Sequence, residues 1–227
     1  ALVLVPIAAK GLTGVTTPTD PTAVITTIGA PTTGAIDGKI GVAAAVVTVT
    51  DDAVAATDKI KTVTVDGFKT ASSVTSDALT DLTLKNGDVN AVFTVNNAVA
   101  SSSLTLNVDN ITGAGASEID LAGNTITNLT INATGKDSKF ILDADGLVDL
   151  TINATAGLDI SNTAAYATAA LKTVDVNGAG KVNLGDLTGS SLNTFDASGN
   201  AGGVTAEINT TSVGTITEYV FSAGNDV

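Results

Sequence analysis

Apolar and polar residues alternate in short bursts along this chain, and the bursts recur. The run Leu129–Thr134, LTINAT, returns as Leu150–Thr155 after 21 residues. Aligned on that run, the chain shows eight copies. They are TVTVD from Thr62, DLTLK from Asp81, SLTLN from Ser103, NLTIN from Asn128, DLTIN from Asp149, TVDVN from Thr173, TFDAS from Thr194 and EYVFS from Glu218. The steps between them run from 19 to 25 residues. The second and fourth positions are apolar in every copy, and the third is polar in all but the last. A period of two with one apolar face predicts a half-buried β-strand. A strand that recurs at a near-constant step predicts a solenoid, in which like stacks on like.

A further apolar column precedes each copy by two residues: Ile60, Leu79, Ile126, Leu147, Leu171, Leu192 and Ile216, with Ser101 as its one break. An offset of three from the next apolar position does not fit strand alternation, so a bend is expected between them. Second short strands follow in AVFTVN (91–96), EIDLA (118–122), KFILDA (139–144), GLDIS (157–161), KVNL (181–184) and VTAEI (204–208). The expected fold is all-β, a parallel β-helix of about eight coils with a short N-terminal β-rich segment. A leucine-rich-repeat-like solenoid is the alternative, because LVDLTI and LKTVDV obey its strand pattern. That fold needs a helix on its convex side, and only SNTAAYATAA (161–170) offers one.

Residues 1–57 read differently. They hold all four prolines and one strand-like run, KIGVAAAVVTVTDD. They are expected to form an extended linker and strands, a cap or the end of a preceding domain. Residues 58–227 are the repeat domain. The apolar start, ALVLVPIAAK, is too short to span a bilayer, and the chain as a whole is expected to be part of a larger protein.

Composition narrows the chemistry. Of the residues, 44% are hydrophobic but only 3% aromatic, so the core is expected to be aliphatic. The chain has no His, Cys, Met, Trp or Arg, and its net charge is −13. Such a surface repels phosphate backbones and anionic lipid, so no nucleic acid and no membrane insertion are expected. Catalytic triads, thiolate nucleophiles and imidazole-held zinc need residues that are missing here. Asp175 and Asp196 stack in neighbouring copies, but a glycosidase reading of this pair has no basic neighbour in the column. The chain is not expected to be an enzyme.

An excess of Asp favours hard cations, above all calcium (Ca2+). In DADG (143–146), Asp143 and Asp145 alternate ahead of Gly146, with Asp149 three residues beyond. A solvated acidic turn reads equally well. Asp51 and Asp52 are a weaker candidate. The column Asn107, Asn132, Asn153, Asn177 predicts a side-chain ladder that stabilises turns. The Thr column at the third position reads as a solvated β-face.

The closing SAGNDV resembles the start of the calcium-binding nonapeptide of repeats-in-toxin proteins, with Gly224, Asn225, Asp226 and Val227 as the matching residues. Together with LNTFDASGNAGGVTAEI (192–208), it makes residues 58–227 similar to bacterial surface-layer proteins of the calcium-dependent, type I secreted kind. The resemblance implies an extracellular, cell-surface lattice that self-associates and is stabilised by Ca2+, with Gly224 and Asp226 as further metal residues. Contact with surface polysaccharide would fall to another part of the full chain. A secreted adhesin or stalk that binds a cell-surface partner is the alternative.

Overall fold

The computed structural model describes residues 2–6, 36–40, 46–50, 60–96, 102–112, 117–123, 125–161, 166–208, 218–221 and 223–224. These residues form a parallel β-solenoid of about six turns. None of them is helical, so no helix among them is long and apolar enough to cross a membrane. Of the candidate helix that the leucine-rich-repeat alternative needs (161–170), residues 162–165 lie outside the described ones and none of the others is helical.

One sheet runs the length of the rod. All eight repeat copies are neighbours in it, in the order predicted, and every pairing is parallel. The strands Leu2–Pro6 and Ile36–Ile40 extend this first sheet beyond Thr62–Asp66. The turn count is slightly below the eight expected. Six steps separate Thr62–Asp66 from Thr194–Asp196, and the return to Glu218–Val220 runs largely through residues 209–217, outside the described ones. At about 4.8 Å per coil, six turns make a rod of about 30 Å.

The second strands do not form a single sheet. From Thr48–Thr50 through Ser72–Thr75, Val92–Asn96 and Glu118–Asp120 to Ile141–Asp143 they build a second face. From Ser138–Lys139 through Leu158–Asp159 and Val182–Asp186 to Val204–Glu207 they build a third. The coil that begins at Asn128 contributes to all three faces. Buried Phe140 separates its two short strands, and its N–H donates to the Asp159 carbonyl at 3.1 Å.

The predicted bend is real and has a repeated construction. One carbonyl accepts two consecutive N–H groups from the coil that follows. Lys61 O takes Thr80 and Asp81, Ser102 O takes Thr127 and Asn128, and Thr127 O takes Val148 and Asp149. Val148 O and Lys172 O repeat the pattern. Four-residue turns close just before the bend, as in Leu79 N–H to Ser76 O and Leu147 N–H to Ala144 O. The bend turns Ile60, Leu79, Ile126, Leu147, Leu171 and Leu192 inward along with the strand residues, and all six are buried.

One register differs from the repeat alignment. The alignment sets Leu82 beside Leu104, whereas the structure pairs Leu82 with Leu106 and Asp81 with Thr105. A slip of two residues leaves every side chain on its original face, so the apolar pattern is blind to it. The seven-residue strand Ser103–Asp109 is long enough to accept the slip. The shift brings Lys85 to 3.9 Å from Asp109 and lets the Asn107 amide reach Asp81 Oδ1 and Thr83 Oγ1 at 3.3 and 3.2 Å.

The core is aliphatic, as composition requires, with Phe68, Phe93, Phe140, Tyr166 and Phe195 placed inside it, whereas Phe221 is exposed. Phe68 and Phe93 meet edge to face with centroids 5.3 Å apart. Tyr166 is fully buried, and its hydroxyl donates to the Leu184 carbonyl at 2.6 Å, which meets the polar requirement of a buried phenol. Burial in turn pushes the Tyr166 pKa well up, with Asp159 adding to the effect.

Candidate metal centre

Among the described residues, the acidic groups that converge lie on the second face. Strand pairing sets Asp143 beside Asp120, and Ile141 beside Glu118. Side chains at i and i+2 share a face, so Glu118 and Asp120 point outward together and Asp143 joins them from the next coil. A carboxylate oxygen from each lies within 4.8 Å of the others, and all three residues are half-buried. The Ala122 N–H donates to Asp120 Oδ1 at 2.9 Å, and the Thr94 hydroxyl lies 3.5 Å from Asp120 Oδ2. Among the described residues, no lysine forms an ion pair with the group. Burial first, then Asp120 and Asp143, raises the Glu118 pKa. Burial first, then Asp145 and Asp120, raises that of Asp143.

The predicted metal residues divide accordingly. Asp143 is in the cluster. Asp145 occupies the exposed tip of the turn closed by Leu147 N–H to Ala144 O; it acts on Asp143 by charge alone. Asp149 is on the first face, paired with Asn128 and Thr173, so the three do not wrap one ion within a single loop. Gly224 stacks over Gly203, where a Cβ would collide with the Gly203 backbone. Asp226, Asp51 and Asp52 lie outside the described residues.

Sequence reasoning missed Glu118 and Asp120. Setting EID of the one coil over ILD of the next, as second strands of successive turns, would have aligned Asp120 with Asp143. Three facing carboxylates with a hydroxyl nearby are hard oxygen donors of the kind Ca2+ takes. The raised pKa values of Glu118 and Asp143 come first from burial and then from neighbouring carboxylates, and a divalent cation would offset that repulsion.

The Asn ladder forms on the first face. Asn132 Nδ2 donates to Asn107 Oδ1 at 2.8 Å, and Asn153 Nδ2 to Asn132 Oδ1 at 2.9 Å. Asn177 leaves the ladder and donates to Asp175 in its own strand at 3.0 Å. A second ladder lies at the next corner. Asn86 Nδ2 donates to Asp66 Oδ1 at 2.6 Å, and Asn110 Nδ2 to Asn86 Oδ1 at 2.7 Å. Asn86 and Asn110 both adopt positive φ, which Asn tolerates better than most residues.

The third face carries a shallow trough of about 670 Å³, lined by Val89, Thr112, Lys139, Leu158, Asp159 and Lys181 among others. Lys139 and Asp159 are paired across it at 2.7 Å. Burial alone would raise the Asp159 pKa, but hydrogen bonds from Lys139 and Ser161 outweigh it and hold the carboxyl below its ordinary value.

Fold and side-chain ladders together define a parallel β-solenoid. No protein-family model, curated protein or solved structure matches the chain.

Proposed function

We propose that this solenoid is a structural segment of a bacterial cell-surface layer, located outside the cell, reached by type I secretion and stabilised by calcium. The observation that carries the reading is the rod itself. Its continuous sheet repeats Thr, Asn and Asp at outward positions coil after coil, a surface suited to regular self-association. The composition and the closing GNDV motif support the same reading. Glu118, Asp120 and Asp143 are the residues that would hold the ion, with Thr94 beside them and Asp145 adding charge. Calcium there removes the repulsion among these carboxylates and links two successive coils.

The test is electron microscopy of the purified protein with calcium and with chelator. Ordered two-dimensional arrays that form with calcium and dissolve with chelator are expected. A soluble monomer under both conditions overturns the reading.

The trough beside Val89 favours a second reading, an adhesin or stalk that takes a cell-surface partner there. Filaments without a lattice, together with cell binding that Lys181→Glu abolishes, would favour it.

A further inference from the structure

We propose that Asn86 is a site of spontaneous deamidation and that the same dipeptide at Asn177 is protected. The inference is independent of the surface-layer reading. Asn-Gly occurs twice, at 86–87 and 177–178. In this reaction the backbone nitrogen of the following residue attacks the Asn Cγ. The side-chain nitrogen leaves as ammonia and a five-membered imide closes. Water then opens the imide to aspartate or isoaspartate. The net change replaces NH2 with OH from water, and no oxidant or enzyme is needed. The reaction wants an accessible Asn, an attacking N–H that no acceptor holds, and a following residue without a side chain.

The two sites differ in these respects. Asn86 is exposed at a corner with φ of 50°. The Gly87 N–H has no protein acceptor among the described residues, although the N–H groups on either side do: Asn86 to Asp109 O and Asp88 to Phe68 O. At the other site the Gly178 N–H donates to Gly199 O at 3.0 Å, and Asn177 is half-buried with its amide on Asp175. What restrains Asn86 is its ladder. Its amide is held to Asp66 at 2.6 Å and its oxygen accepts from Asn110 at 2.7 Å, so the side chain must let go before Cγ can reach Gly87 N. The product cannot return to the ladder as it was. The donor toward Asp66 is gone, and a carboxylate at position 86 faces the Asp66 carboxylate. An isoaspartate also lengthens the backbone within a corner fixed at positive φ.

The experiment incubates the purified full chain at mildly alkaline pH, beside a urea-unfolded reference, and follows both Asn-Gly peptides by mass spectrometry. In the folded chain, the peptide with Asn86 is expected to react several times faster than the one with Asn177, whereas the two react alike in urea. Asn110→Ala, which frees one end of the ladder, is expected to speed the reaction at Asn86 and leave Asn177 unchanged. Asn86→Asp is expected to lower the melting temperature. An unmodified Asn86 in the folded chain, while the unfolded chain reacts at both sites, overturns the proposal. So does Asn177 keeping pace with Asn86.

Discussion

Ile152 shows what a single position does in a stacked fold. It pairs with Ile131 below and Val176 above, and none of its surface reaches solvent. Ile152→Ala removes contacts with both neighbouring coils, and the expected loss is about 2–5 kcal/mol in a denaturant melt. Asn132→Ala breaks two ladder bonds near the surface, and a smaller loss of about 1–2 kcal/mol is expected by the same measurement. Gly178 is constrained by space as well as conformation. Its φ is 105°, and an added Cβ would meet the Ala154 carbonyl of the preceding coil. Gly178→Ala is therefore expected to destabilise more than Asn132→Ala; equal melting midpoints would contradict this.

At the scale of strands and faces, two sets of carboxylates respond to pH in opposite senses. Glu118 and Asp143 hold their protons more tightly folded than unfolded. Without a cation, their contribution favours the fold at low pH and is lost as pH rises through the ordinary carboxylate range to the raised values. Asp159 binds its proton less tightly when folded. Its contribution is present above the ordinary value of 3.8 and is lost as pH falls through the lowered one. In chelator at neutral pH, Glu118→Gln or Asp143→Asn is expected to raise the melting temperature by relieving repulsion. Lys139→Ala is expected to lower it there, an effect that fades as pH falls through the lowered Asp159 value. A fall in melting temperature for Glu118→Gln in chelator would contradict the repulsion argument.

The strands of the first face were legible because burial on one side writes itself as Leu129–Ile131 and Leu150–Ile152 at a fixed step. The bend at Ile126 was legible because three-residue spacing breaks that rule. The two-residue slip at Asp81 was not, since both registers bury the same side. The exchange of second for third face was hidden as well. It depends on where short strands such as Ser138–Lys139 land around the coil, and loop geometry sets that. For the same reason DADG, read along the chain, led to Asp143 but not to its partners, which stand one coil away.

For the whole molecule, the clearest expectation concerns the cation. With calcium the melting temperature is expected to rise, and the gain should shrink in Asp120→Asn and vanish in the triple variant lacking all three carboxylates. A calcium effect that survives that triple variant would move the ion to another part of the chain. Screening by salt alone would raise the melt equally with sodium at matched ionic strength.

The coil that begins at Asn128 carries a mechanical consequence. Inter-coil hydrogen bonds run along the rod axis, so a pull on the ends loads them directly. Among the described residues, only the first of the three sheets runs through this coil without interruption. The second face ends there at Ile141–Asp143 and the third begins there at Ser138–Lys139, each on a strand of two or three residues. Stretched by its ends, the rod should hinge and then part at this junction, leaving two shorter stacks that unravel one coil at a time. A force spectrometer would record a first rupture that divides the contour near residue 140, before the smaller, evenly spaced steps.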